Sequence, residues 1–225
     1  MEHTTSSGTI RYQTDGSGPD GIERFQITRF ANGRRQLSAV SELWNDRLVR
    51  DTFLSVDEHF RPELAHVHLA IGGEPVGAAQ YRIDGDRVTF TAHSTDTGPQ
   101  SAQMTKPVTA FGGHALQNDA WMMAAADRRA GDRVDRVAEC VLVTSHLPNG
   151  GDGPALEFSR HRYRFLGCET LDAAAGRFET RHFEFLLDDR PPIHYWTAGP
   201  DYLLVRARWD LLRQSYELVE FTQSG

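Results

Sequence analysis

The sequence predicts a mainly β (α+β) fold: one large, curved antiparallel sheet wrapped around a single central helix. Two observations predict it. Along most of the chain, apolar residues recur at every second position in short runs separated by glycine or Asp-Gly turns, the pattern of half-buried strands. One segment alone, "TAFGGHALQNDAWMMAAADRRAGD", changes to helical spacing, with Leu116, Ala120, Met123 and Ala124 on one side. No internal repeat or linker divides the chain, so residues 21–225 are expected to form one domain.

Each element follows from its pattern. Residues 1–20 are rich in Gly, Ser, Thr and Asp and are expected to be a flexible N-terminal segment. "IERFQITRF" sets Phe25 and Ile27 on one face, and "RRQLSAVSELW" alternates through Leu37, Ala39, Ser41 and Leu43. "RLVRDTFLSVD", "LAHVHLAI", "VGAAQYRID" and "DRVTFTAHS" continue the series, and "IDGD" is a hairpin signal between the last two. The helix is expected over about residues 114–128, with Gly131 as its stop. Strands resume with "RVAECVLVTS", "ALEFSRHRYRFLG", "GRFETRHFEFLL", "PPIHYWTAG" and "DYLLVRARW", and the tail "DLLRQSYELVEFT" can end in a strand. Short strands joined in sequence by short turns make an antiparallel meander.

Composition narrows the function classes. A chain of 225 residues can bury a core without disulfides, and Cys140 and Cys168 are too few for a disulfide framework. The net charge of -7 lacks the basic footprint that a nucleic-acid partner requires. No run reaches the roughly 18 apolar residues of a membrane helix, so no membrane role is expected. The N-terminus has neither a basic start nor an apolar stretch, which makes a cytoplasmic address the default expectation. There is no phosphate loop or dinucleotide fingerprint, so no nucleotide cofactor is expected. Oligomeric state is open, with a homo-oligomer allowed.

The C-terminal third carries a resemblance. A strand with "GRFET", a strand bearing Trp196 and a closing strand with "YELVEF" are similar to the end of a broad bacterial domain-of-unknown-function family. The resemblance implies a curved half-barrel with a lipoprotein-carrier-like outline. Its concave side would be partly filled by the helix, and the remainder would be a pocket.

The candidate residues are those able to line such a pocket. In "ELAHVHLAIGG", His66 and His68 share one strand face while Val67, Leu69 and Ile71 take the other. Either the histidines face solvent, or they line the concavity with His93, which ends the neighbouring "RVTFTAH". "GGHALQNDAW" gathers His114, Asp119 and Trp121, and Lys106, the only lysine, lies just upstream. This cluster serves either chemistry or helix capping and packing. In "FSRHRYRFLG" the arginines alternate with His161 and Tyr163, which places Tyr163 on the inward face.

These residues suit a cofactor-independent acid/base enzyme of lyase, dehydratase or isomerase type, acting on a hydrophobic, aromatic small molecule. His68 or His114 would be the base, Asp119 would orient a histidine, and Lys106 or Tyr163 would steady negative charge. His66, His93, Trp121 and Trp196 would bind substrate. One alternative is a non-catalytic carrier of a lipid or aromatic ligand. A second follows from His66-x-His68, Glu74 and His114, which resemble the metal motifs of cupins and imply one divalent ion, zinc, iron, nickel or manganese.

Overall fold

The structure, a computed structural model, describes residues 3–130, 135–188 and 190–224. Its first half is a meander of β1 (His3–Thr14), β2 (Pro19–Phe30), β3 (Arg35–Leu43), β4 (Leu48–Val56), β5 (Pro62–Ile71), β6 (Glu74–Asp84), β7 (Arg87–Ser94) and β8 (Gly98–Thr105). A short strand, β9 (Ala110–Gly112), leads into the helix α1 (Leu116–Ala130). The second meander is β10 (Asp135–Val143), β11 (Glu157–Ala173), β12 (Gly176–Leu186), β13 (Ile193–Ala198), β14 (Leu203–Trp209) and β15 (Gln214–Ser224). The meanders join where β1 pairs antiparallel with β15, giving one fifteen-stranded sheet with β8 and β9 at its edges. Among the described residues, only the β9–β10 pair is parallel.

Interior faces follow the alternation in the sequence. Phe25, Ile27, Leu37, Ala39, Ala65, Val67 and Tyr81 are buried, and they form one core cluster with α1 and the inward residues of β9–β15. The sheet curls far enough to bring distant strands together. Tyr81 on β6 packs 5.2 Å from Phe111 on β9, and its hydroxyl donates to the carbonyl of Ala155, in the β10–β11 connection. Among the described residues no helix is long and apolar enough to cross a membrane.

Residues 3–14 correct the expectation of a flexible N-terminal segment. They form β1, which lies in the middle of the sheet between β2 and β15, so its backbone groups are paired on both sides. Small side chains are required there. A Cβ on Gly8 would lie 2.6 Å from the ring of Phe25, and Ser6 and Thr9 are themselves buried. A composition that suggests a loop belongs here to a strand covered by large neighbours.

The first turns of the helix are largely buried: Ala120, Trp121, Met123, Ala124 and Ala126 are each at most 2% exposed. Such a helix belongs in the centre of a fold. The expected stop at Gly131 lies outside the described residues. The start is held from outside the helix, because Ala115 has no side-chain acceptor for the first free backbone donors. Glu23 on β2 supplies it: one carboxylate oxygen accepts from the Leu116 N–H at 2.8 Å and the other from the Gln117 N–H at 2.9 Å. The first oxygen also accepts from the Tyr12 and Ser41 hydroxyls, both at 2.9 Å. Gln117 then clasps the chain before and within β14, donating to the Tyr202 carbonyl at 3.0 Å and accepting from the Leu204 N–H at 2.9 Å.

Glu23→Ala leaves two helix N–H groups and two hydroxyls buried without acceptors. Urea unfolding should show a loss of about 3–5 kcal/mol. Glu23→Gln keeps the volume and one acceptor oxygen and should lose less.

Candidate functional site

At the end of the barrel where α1 begins, the β1–β2, β3–β4 and β14–β15 connections surround a cavity of about 420 Å³. Its floor holds Arg50, His114 and Asp119. Tyr12 and Tyr216, in edge contact at 5.0 Å between centroids, line it together with Leu43, Leu116, Leu147 and Leu212. Asp20 and Asp46 also line it.

Strand parity places Arg50 inside. It follows Leu48 and precedes Thr52 and Leu54 on the buried face of β4, and it is 2% exposed. Its Nη1 donates to the His114 carbonyl at 2.6 Å and its Nη2 to the Asn149 carbonyl, so the guanidinium ties the helix start to the β10–β11 connection. Burial pulls its pKa below the usual arginine range.

His114 has a left-handed backbone, φ 58°, where the chain turns into the helix. Its Nδ1 is 3.3 Å from the Thr144 hydroxyl. Burial first, and then the Arg50 charge, push its pKa down to about 3, so the ring is neutral at pH 7. Gly113 before it is required by close approach, since a Cβ there would lie 2.6 Å from Asn118 Oδ1.

Asp119 lies one helical turn beyond Glu23's anchor points, and among the described residues its carboxyl has no hydrogen-bond partner. Burial first, and then repulsion by Glu23, push its pKa up to about 8, with Arg50 pulling the other way. Burial also raises Glu23, against the pull of its four hydrogen bonds. The Glu23 carboxyl disfavours ionisation of Asp119, and among the described residues the hydrogen-bond donors here go to Glu23.

"GGHALQNDAW" therefore divides between the two roles considered for it. His114 and Asp119 face the cavity. Gln117, Asn118 and Trp121 pack and cap: Asn118 accepts from the Gly113 N–H at 3.1 Å, and Trp121 is buried and donates to the Asp201 carbonyl at 2.9 Å. Trp121 is thus a core residue and does not contact the cavity.

The other expected site residues lie elsewhere. His66 and His68 are on the outer face of β5, because Ala65, Val67 and Leu69 take the core. His66 packs against Phe53 at 5.8 Å and His68 is exposed. His93 is exposed on the outer face of β7. Lys106 is exposed, with its Nζ 5.5 Å from the centre of the Phe158 ring. Tyr163 does point inward but is buried in the core at 1% exposure, its hydroxyl 3.5 Å from His161 Nδ1. Trp196 lies on the outer face, stacked on His182 at 4.1 Å and donating to Glu169 at 2.7 Å. The cupin-like set does not converge, since His66, His68 and the exposed Glu74 face outward while His114 faces the cavity. No group of three potential metal ligands occurs among the described residues.

Glu23 and Arg50, the buried charges beside this cavity, were missed by the sequence reading, yet both carried a signal. Glu23 shares a strand face with Phe25 and Ile27, and Arg50 shares one with Leu48 and Leu54. A charge on the apolar face of a strand marks a group that needs an interior partner.

No protein-family model matches the chain. No curated protein matches it either. The fold itself is shared. A β-barrel-like protein of domain of unknown function DUF1849 from Brucella abortus aligns over 99% of this chain and 98% of its own, with a TM-score of 0.59 at 8% identity. A DUF1089 family protein from Pseudomonas aeruginosa covers 84% of this chain and 89% of its own, with a TM-score of 0.48 at 11% identity. A LolA superfamily protein from Nitrosomonas europaea covers 92% of this chain and 63% of its own, with a TM-score of 0.25 at 11% identity, too distant to carry more than a mention. By fold this is a β-barrel-like protein, similar to the DUF1849 structure, with a central helix.

The raised Asp119 pKa has a consequence for stability. The folded state holds this proton from the ordinary value of 3.8 up to about 8, so the group's contribution is fully present below 3.8 and is lost as pH rises through about 8. Asp119→Asn removes that loss. Urea unfolding at pH 5, 7 and 9 should show the variant gaining on the parent as pH rises, by about 1–3 kcal/mol at the alkaline end.

Proposed function

We propose that the protein binds a small amphipathic molecule, with an apolar or aromatic body, in the cavity at the start of α1. The observation that carries this is a cavity of about 420 Å³ whose tyrosine and leucine walls surround a carboxyl, Asp119, with no hydrogen-bond partner among the described residues. Binding sites have this make-up: mostly apolar walls and a few converging polar groups. The role is that of a ligand carrier or sensor, and binding of this kind calls for no cofactor.

The acid/base enzyme of lyase or isomerase type stands second. In its favour, His114 and Asp119 share the cavity and Asp119 titrates near neutral pH. Against it, His68, Lys106 and Tyr163, the other candidates for the chemistry, do not reach the cavity. His114 is moreover held neutral far below the range of an efficient base.

Thermal unfolding with a panel of aromatic and aliphatic amphiphiles tests this. A ligand at about a hundred times its Kd should raise the melting temperature by about 5 °C or more. Leu43→Trp, which extends an indole into the cavity, should remove the shift while leaving the protein folded. The recovered ligand should be chemically unchanged. Conversion that disappears in His114→Ala would instead establish the enzyme.

A further inference from the structure

We propose that the ligand of this cavity is an organic cation, an amine on an apolar or aromatic body, whose ammonium group pairs with the carboxylate of Asp119. This rests on the cavity being the binding site and adds the charge of what enters it.

Three features point to a cation. The first is the balance of charges around the cavity. Asp20 and Asp46 line it against Arg50, with Asp119 a third carboxyl that adds no charge while it holds its proton. The two outer carboxylates already accept hydrogen bonds from their own neighbours, Asp20 from the Thr14 hydroxyl and Asp46 from the Asn149 amide at 3.0 Å. They contribute field at the mouth, and Asp119 is the lining carboxyl without a hydrogen-bond partner among the described residues.

The second feature is what Arg50 is occupied with. Its Nη1 and Nη2 are given to the His114 and Asn149 carbonyls, and Glu23 supplies negative charge nearby. An anionic head group would have to compete with these backbone bonds and would enter beside Asp20, Asp46 and Glu23. The third is the wall: Tyr12 and Tyr216 offer ring surface beside Asp119, and aromatic rings favour cations.

The groups that act on Asp119 come from every side. Glu23 on β2 repels its charge and Arg50 on β4 attracts it, while Tyr163 on β11, Tyr195 on β13 and Tyr216 on β15 are neutral phenols within its field. His114, also in the cavity, is neutral. In the empty site the Asp119 carboxyl therefore keeps its proton at pH 7. An arriving ammonium replaces that proton as the counterweight to Glu23, and the proton leaves to solvent. Binding and deprotonation are one event, with about one proton released per ligand well below pH 8.

Three probes with the same body and different heads test the assignment: 2-phenylethylamine, 2-phenylethanol and 3-phenylpropanoate, titrated calorimetrically into the whole chain. Two buffers of different ionisation heat report the proton. The amine should bind tightest, and its affinity should rise about tenfold per pH unit up to about pH 8 while its own charge persists. Asp119→Asn should weaken the amine about tenfold or more, abolish proton release and leave the alcohol unchanged. A preference for 3-phenylpropanoate that fades as pH rises would overturn the proposal and give the head group to Arg50, with the cavity still the binding site. Equal binding of amine and alcohol, unaffected by Asp119→Asn, would also overturn it. Failure of all three probes to bind, or binding undiminished by Leu43→Trp, would remove the cavity as the binding site.

Discussion

The carboxylate of Glu23 at the start of α1 is the interaction on which the rest of the structure depends. A curled sheet needs something to fill its inside, and here the filler is a helix whose own sequence provides no cap. Glu23 reaches it from β2 with both oxygens, satisfies two backbone donors and sits at the positive end of the helix dipole. Leaving such a charge without donors would be prohibitive, and the Tyr12 and Ser41 hydroxyls complete its shell. The same arrangement sets the chemistry of the cavity. Burial first, and then the Glu23 carboxyl at the helix start, disfavour a charge one turn further on, so Asp119 is held as an acid.

Much of the fold was legible in the sequence, because the side-chain period of a strand survives in any composition that alternates. Every alternating segment from "IERFQITRF" to the closing "SYELVEF" is a strand, and the one helical segment is the central helix. Three strands were not legible. β1 is built of small polar residues because Phe25 lies across it, β8 is a mostly exposed edge, and β9 is three residues long. Which face of β5 is the core was an open choice between two sets of residues. Val67 and Leu69 settle it by burial, and the histidines go outside. Glu23 and Arg50 were hidden for the opposite reason: a charged residue on an apolar face looks like an interruption until its partners, far away in sequence, are in place.

Histidine and carboxylate have changed places relative to what the sequence suggested. An imidazole is the natural choice for acid–base work near neutrality, and ten histidines invite that choice. Inside this barrel, however, burial drives His114 to about 3 and His161 to about 4. Both are permanently neutral under ordinary conditions. Asp119, by contrast, is pushed toward neutral pH by the same desolvation that silences the rings.

The seam between β1 and β15 bears on how the molecule comes into being. Thr5 stands opposite Ser224 and Thr14 opposite Gln214, so the first strand of the chain is zipped to the last along nearly its whole length. Each meander can assemble from local hairpins as it is synthesised. The seam cannot, because β1 and β15 are the paired strands furthest apart in sequence. Until it forms, both strands present raw edges, and Glu23, on the strand next to the seam, has only one meander around the helix it caps. Joining of the two meanders is therefore a long-range event, the kind that slows folding.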